Sequence, residues 1–193
     1  MKRQAHITLA AALVLVSAAP WQPADAAQFT NPALNFSLTY PDSWHALTWA
    51  SEPNVVLLRS FPDDQALHGG NVPFGGAEIN VNVFPPYPPG WSAGTDEYAE
   101  YHAIAARTGT IIGETTRASG APARVKWTRS TASGTTNTCI ATVVRLRGRV
   151  FDISMEYQSP DPAGPQYEQV LSDLLASLSV PAGSPTPSIP PTP

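Results

Sequence analysis

The segment AEINVNVF at residues 77–84 constrains the fold more than any other part of the sequence. Apolar residues occupy every second position, and Glu78, Asn80 and Asn82 occupy the positions between them. Successive side chains of a strand point to opposite faces, so this pattern predicts a β-strand with one buried face and one polar face. Many of the strands predicted below follow one another at short turns, and we therefore expect a largely antiparallel sheet.

Residues 138–157 predict a long β-hairpin. Two alternating runs, 138–146 and 149–157, meet at Arg147 and Gly148. A two-residue turn would place apolar side chains of the two runs opposite each other on one face. The expected pairs are Val144 with Phe151, Thr142 with Ile153, and Ile140 with Met155. A four-residue loop would also leave these apolar side chains on one face, so both loop lengths remain open.

Shorter segments complete the predicted secondary structure. Strands are expected at residues 35–40, 44–49, 55–61, 110–117 and 123–129. A helix is expected to begin after Thr95, a plausible N-cap, and to end at Gly109. The spacing of the apolar residues from Tyr167 to Leu178 predicts a second helix. The expectation is an α+β domain with seven or eight strands and two main helices.

Both ends of the chain differ from the domain. Residues 1–26 combine Lys2 and Arg3, an apolar run over 7–19, and small residues at Ala24 and Ala26. This is the pattern of a secretory signal peptide cleaved after Ala26. Residues 181–193 read PAGSPTPSIPPTP, which favours an extended polyproline spacer or a ligand for aromatic grooves. The predicted domain therefore spans residues 27–180.

The signal peptide predicts a secreted or periplasmic protein. The sole cysteine, Cys139, lies deep in the domain rather than after the apolar run, so neither a lipid anchor nor an intramolecular disulfide is expected. No other segment is apolar over the roughly 20 residues that a transmembrane helix needs. The formal net charge of −4 argues against nucleic acid as a partner.

The sequence predicts no catalytic or metal-binding site. The sequence has no G-x-S-x-G, no H-x-H and no C-x-x-C pattern. Cys139 would need a histidine close in space to act as a nucleophile, and we expect it to be a buried packing residue. A Gly-rich stretch containing His68, Gly69 and Gly70 is interpreted as a surface loop and is a candidate for covering a binding site. No cofactor is expected.

Two further surfaces are candidate contact sites. One is a patch of cations that would form if their strands are neighbours: Arg124, Lys126, Arg145, Arg147 and Arg149. Such a patch could bind an anionic ligand or an envelope protein, or it could be neutralised internally by Asp152 and Glu156. The other is the stiff loop PPYPPGW, in which Tyr87 and Trp91 either contact a partner or cap the sheet edge.

The order of these signals resembles the PsbP-like (Mog–PsbP) domains, which include bacterial envelope proteins of the LpqN type. The shared parts are the opening FSLTYPDSW, the strands VVLLRSF and AEINVNVF, a Thr-Asp-Glu-Tyr helix start, GAPARVKW before a long hairpin, and a final helix ending in SLS. The resemblance covers residues 28–180. It implies an α/β/α sandwich on an antiparallel sheet and binding or assembly roles, without shared catalytic residues.

The leading hypothesis from sequence is an exported, non-catalytic envelope protein that binds a protein or a ligand. The alternative is an extracytoplasmic hydrolase whose groups come together only in the folded chain, with His68 and Cys139 as the first residues to inspect. A third possibility is a purely structural domain that is tethered to a larger assembly by its Pro-rich tail.

Overall fold

The computed structural model describes residues 26–62, 72–84, 96–115 and 122–182. These residues form nine strands and two helices. In chain order they are β1 (Ala26–Asn31), β2 (Phe36–Pro41), β3 (His45–Trp49), β4 (Glu52–Arg59), β5 (Ala77–Phe84), α1 (Asp96–Thr108), β6 (Thr110–Thr115), β7 (Arg124–Ser130), β8 (Thr136–Leu146), β9 (Arg149–Gln158) and α2 (Gly164–Ser177).

Seven of these strands form one antiparallel sheet. Its order is β3-β4-β5-β9-β8-β7-β6, while β1 and β2 form a separate two-stranded antiparallel sheet. The alternating strand β5 and the predicted hairpin β8–β9 therefore occupy the centre of the main sheet. This confirms the expected α+β architecture with two helices on a largely antiparallel sheet.

The β8–β9 hairpin turns over two residues. Arg147 and Gly148 both have positive φ angles, 47° and 75°, as a type I′ turn requires. All three predicted cross-strand pairs occur in the observed register. The two-residue alternative is therefore the correct one, and the turn and the apolar pattern specify the same register.

One side of the main sheet carries the largest part of the core, and we call it the α2 face. Its side chains Ile79 and Ile153 pack with Leu171 and Leu174 of α2, and all four are 0% exposed. The small sheet packs here too, with the ring of Phe36 5.4 Å from that of Phe151. After α2, the chain is attached to β2 through backbone hydrogen bonds between Ser37 and Ser179.

The opposite side, the α1 face, is covered by a helix only in part. Helix α1 packs on β6, β7 and β8, where Ala105 is fully buried. At the end of α1, Gly109 lies so close to β7 that an added Cβ would be 1.8 Å from the carbonyl oxygen of Thr128. Only glycine permits this approach. Within the described residues, no helix covers the strands β4, β5 and β9 on this face.

Two strands differ from the sequence-based expectation. The strand β1 was not predicted, because AAQFTN contains a single large apolar residue and its strand conformation depends on pairing with β2. The strand β4 begins at Glu52, three residues before the predicted start, in a region with no alternating pattern. The strand predicted over residues 110–117 corresponds to β6, which ends at Thr115, and residues 116–117 lie outside the described residues.

Candidate functional site

The uncovered half of the α1 face has a polar floor. Three polar pairs lie directly opposite each other on β5 and β9. They are Glu78 with Glu156, Asn80 with Ser154, and Asn82 with Asp152. All six side chains are half-buried. These residues are the polar half of the alternation that predicted β5, together with its counterpart on β9.

Helix α1 forms a wall beside this floor, and two adjoining hollows lie at the junction. They have volumes of about 220 and 270 Å³ and share Tyr101 and Ile104 as lining residues. The smaller hollow is also lined by Phe84, Glu100, Val143, Val150 and Asp152. The larger is also lined by Glu78, Asn80, Trp127, Arg129, Cys139, Ser154, Met155 and Glu156. Together they form one cleft along α1, hereafter the α1 cleft.

The charges at the larger hollow are paired within the protein. Glu156 accepts hydrogen bonds from Arg129, with Nη2 2.7 Å from both carboxylate oxygens, and a further bond from the Asn137 side chain. This bonding raises the pKa of Arg129. On the other side, the buried Arg59 holds Glu78 at 2.8 Å. Facing carboxylates normally destabilise a sheet, and here each has its own arginine.

Some polar atoms at the cleft lack a hydrogen-bond partner. They are Oδ1 of Asn80 and Nε1 of Trp127, both from residues that line the larger hollow. Oδ1 of Asn137, beside Glu156, also has no hydrogen-bond partner. Trp127 is 6% exposed and Asn137 is 0% exposed. A buried unsatisfied group costs about 1–3 kcal/mol, so such atoms mark a place where a ligand's polar groups would be stabilised.

Cys139 lies at the bottom of the larger hollow and is 5% exposed. Burial raises the pKa of its thiol to about 12, and the nearby charge of Glu156 acts in the same direction. The thiol is therefore protonated at neutral pH, which is unfavourable for a nucleophile. No histidine lines either hollow among the described residues, and His68 lies outside them. His45 is exposed, and His102 pairs with Glu114 at 2.9 Å.

The predicted cation patch does not form as one surface. The strands β7, β8 and β9 are neighbours, as the prediction required, but the register directs Arg124 and Lys126 to the α2 face and Arg145 to the α1 face. Arg149 belongs to the α2 face and is 3% exposed. The expectation of a shared patch was wrong, because successive residues of a strand point to opposite sides of the sheet and the register puts Arg124 and Arg145 on different sides.

The two β7 cations contact α2. The Nζ of Lys126 lies 2.5 Å from Oε1 of Glu168, which also accepts a 2.7 Å hydrogen bond from the Tyr157 hydroxyl. Arg124 donates to the Ser172 hydroxyl at 3.4 Å. Neither residue pairs with Asp152 or Glu156, the partners considered from sequence. These contacts attach α2 to the sheet.

The other sequence-predicted contact residues lie outside the described residues. They are Tyr87 and Trp91 of the aromatic loop and His68, Gly69 and Gly70 of the Gly-rich loop. Within the described residues, no group of three or more potential metal-ligating side chains occurs, and no helix is long and apolar enough to cross a membrane.

Both edge strands of the main sheet carry irregularities. The register of β3 against β4 shifts between Leu47 and Trp49, and that of β6 against β7 shifts between Ile111 and Gly113. Bulges at sheet edges oppose the addition of a further strand. The α1 cleft is therefore a better candidate for binding than either edge.

Solved structures were compared with this architecture. The Ran-binding protein Mog1p of Saccharomyces cerevisiae matches with a TM-score of 0.52 and 13% identity, over 81% of this chain and 96% of that chain. This chain has the Mog–PsbP fold. The fold implied by the resemblance noted in the sequence is thereby confirmed. At 13% identity, the yeast match establishes the fold alone.

Other proteins match the chain at lower scores. Cyanobacterial PsbP from Synechocystis has a TM-score of 0.48 and 14% identity, over 86% of this chain and 99% of that chain. LpqN of Mycobacterium tuberculosis, described as involved in cell envelope biogenesis, has a TM-score of 0.44 and 12% identity, over 81% and 86%.

One match is to a longer protein. A Bacteroides thetaiotaomicron protein matches 82% of this chain with a TM-score of 0.49 and 13% identity, and the match spans 49% of that protein's length. No family model matches the sequence, and no curated protein matches it.

Proposed function

We propose that this Mog–PsbP domain is an exported, non-catalytic binding module of the bacterial cell envelope, and that its ligand occupies the α1 cleft. The predicted signal peptide over residues 1–26 supports export. The absence of a cysteine after the apolar run supports a form without a lipid anchor. The Pro-rich residues 181–193 would act as a spacer.

The observation that carries the proposal is the combination of paired charges and unpaired polar atoms at one cleft. Arg129 already holds Glu156, and Arg59 already holds Glu78, so the floor is fixed in place before any ligand arrives. Asn80 and Trp127 retain unused hydrogen-bonding capacity in the same hollow. A preorganised site with a few unsatisfied polar groups is typical of binding pockets.

Binding fits the chemistry of the cleft better than hydrolysis does. A cysteine hydrolase needs a thiolate with a base beside it. Cys139 instead lies under α1 with its pKa raised by burial, which keeps the proton on sulfur. Arg129 is held by Glu156 rather than directed at a reacting group.

The aromatic loop is proposed as a secondary contact. Its residues Tyr87 and Trp91 belong to the segment that joins β5 to α1, and these two elements border the cleft. Arg145, which is exposed on the same face of the sheet, is a further candidate for contact with an anionic part of a partner.

Export is tested by producing the full chain with its own leader in a Gram-negative host. We expect the protein in the periplasmic fraction or the medium, with Ala27 as its first residue by mass spectrometry. Recovery of the uncleaved chain from the cytoplasm alone would contradict export.

Binding at the cleft is tested with the sole cysteine as a reporter. The exported chain is incubated with envelope extract of the producing bacterium, and the rate at which N-ethylmaleimide modifies Cys139 is measured. A ligand in the cleft is expected to slow the modification at least threefold. Ser154→Trp, which fills the hollow from the sheet, should abolish this protection, whereas Ser130→Trp on the exposed end of β7 should retain it. Equal protection in both variants, or none in the unaltered chain, would contradict the proposed site.

A further inference from the structure

We infer that the ligand of the α1 cleft is a short, extended, uncharged peptide segment, with its backbone amides on the polar floor and an apolar side chain in the smaller hollow. This inference rests on the proposed function and names the ligand class for the same site.

The length of the larger hollow favours an extended ligand. Its lining residues Asn80 and Trp127 lie on β5 and β7, which are separated by β9 and β8. Three interstrand spacings amount to about 14 Å, which is the length of about four residues in an extended chain. A compact molecule of similar volume would reach only one of the two residues.

The unpaired atoms call for a donor and an acceptor on the same ligand. Nε1 of Trp127 can only donate, whereas Oδ1 of Asn80 can only accept. A peptide backbone presents N–H and C=O groups at regular intervals, so one segment satisfies both atoms. Each bond made would relieve the cost of a buried polar atom that has no partner.

The ion pairs Arg129–Glu156 and Arg59–Glu78 disfavour a charged ligand, because their charges are already neutralised within the protein. Arg129 uses Nε and Nη2 on Glu156, so its guanidinium is already engaged. Glu78 is likewise engaged by Arg59. A charged ligand group would lose hydration at the cleft and gain no free counter-ion among these four residues, whereas a neutral amide loses far less.

The smaller hollow supplies a site for one side chain. Phe84, Val143 and Val150 supply its apolar lining, Glu100 and Asp152 its charged lining, and Ile104 lines both hollows. Its volume of about 220 Å³ accommodates a leucine-sized or phenylalanine-sized group. A peptide that crosses the polar floor would therefore place an apolar residue at the end nearer β8 and the start of β9.

Ligand entry requires a small displacement of α1. The unpaired atoms of Asn80 and Trp127 are almost completely buried, and Trp127 lies with Ala105 of α1 in one cluster. Hydrogen bonds from the hydroxyl groups of Tyr98 and Tyr101 hold the helix on this side, together with the exposed pair of His102 with Glu114. These bonds and the packing of Ala105 must be released for the displacement, and the exposed pair adds little to what opposes it.

The experiment uses the exported chain and measures alkylation of Cys139 and NMR shifts of the Trp127 indole N–H. The probes are three mixtures of N-acetylated, C-amidated tetrapeptides that end in leucine: one neutral, one with two aspartates and one with two lysines. Maltotriose serves as a neutral probe of similar length that lacks amides. The neutral peptides are expected to slow alkylation and shift the indole signal, with an affinity at least tenfold above that of either charged mixture.

Two variants test the assigned atoms. Asn80→Leu and Trp127→Phe should each weaken binding of the neutral peptides about tenfold, whereas Asn54→Leu, on β4 and outside both hollows and the polar floor, should leave it unchanged. Circular dichroism and urea unfolding confirm that each variant is folded before it is compared.

The outcomes separate this inference from the proposed function. In one outcome, envelope extract protects Cys139, and so does maltotriose or a charged mixture, but the neutral peptides do not. This result would overturn the peptide assignment and retain the site. Absence of protection by extract and by every probe would overturn both. Equal effects of Asn80→Leu and Asn54→Leu would also overturn the assignment.

Discussion

The two faces of the main sheet are built from the same strands but differ in their side chains and in how far a helix covers them. On the α2 face, alternate residues such as Ile79 and Ile153 are fully buried against α2. On the α1 face, the residues between them are polar, and only β6, β7 and β8 lie under a helix. Because the α2 face supplies most of the buried apolar contacts, the α1 face can keep a partly open, polar cleft at little cost in overall stability.

The polar contacts of the two faces also differ. On the α2 face, Glu168 joins Lys126 and Tyr157, and so attaches helix to sheet. On the α1 face, Arg129 and Glu156 join strand to strand, and the helix is attached separately by hydrogen bonds of Tyr98 and Tyr101. The first arrangement makes one carboxylate hold helix and sheet together. The second fixes the floor of the cleft independently of the helix.

The largest expected difference between the faces comes from truncating one apolar residue on each. Leu174→Ala removes a side chain that is 0% exposed, and should lower the free energy of unfolding by about 3 kcal/mol. Ile104→Ala, at the half-buried wall of the cleft, should lower it by about 1 kcal/mol. Guanidinium chloride unfolding of both variants measures the difference. Equal losses would show that the two helices contribute alike.

A second difference concerns alkaline pH. The Cys139 thiol has its pKa raised from 9.0 to about 12 by burial. The folded state therefore holds this proton more tightly than the unfolded state, so the stabilisation is complete below pH 9 and is lost as the pH rises towards 12. The loss at pH 10 should be about 1 kcal/mol.

Cys139→Ala isolates this effect. At neutral pH, the variant should be less stable than the unaltered chain because its side chain is smaller. Between pH 8 and pH 10, its free energy of unfolding should decline less than that of the unaltered chain. On the α2 face, burial also raises the pKa of Tyr157, whose contribution declines only above pH 10. Parallel stability profiles of the two proteins between pH 8 and pH 10 would contradict the burial of an uncharged thiol under α1.

The smallest effects concern the charged residues. Glu168→Gln weakens the contacts with Lys126 and Tyr157 and should lower stability by about 1 kcal/mol, since the pair with Lys126 is partly exposed. Arg145→Ala and Arg147→Ala, at exposed positions, should change it by less than about 0.5 kcal/mol. Thermal unfolding at low and high salt separates the variants. A large loss for Arg145→Ala would indicate a structural role for that cation.

The sequence was most informative where a pattern and a turn agreed. The alternation of residues 77–84 and the Arg147–Gly148 turn predicted β5 and the β8–β9 register, and both are confirmed. The strand β1 carries no such pattern, since its conformation depends on β2. Elements specified by their own residues were predictable, and an element specified by its partner was not.

The site was less predictable for the same reason. The polar positions of β5 were recognised, but the pairing of Arg129 with Glu156 depends on the order of β7, β8 and β9 in the sheet. The predicted cations were grouped by proximity along these strands, while the face to which each side chain points depends on the cross-strand register. A candidate register from the hairpin, extended to β7, would have separated Arg124 from Arg145.

We expect α1 to separate locally from the sheet while the α2 face stays folded. The rate of Cys139 alkylation in the native protein, measured as a function of urea, tests this expectation. At low urea, we expect Cys139 to be modified through a local opening whose free energy is well below that of global unfolding. The modification rate should then be nearly independent of the urea concentration. It should also be the same in Leu174→Ala. A rate that follows global unfolding at every urea concentration, and rises in Leu174→Ala by the full loss of stability, would show that α1 separates from the sheet only when the whole domain unfolds.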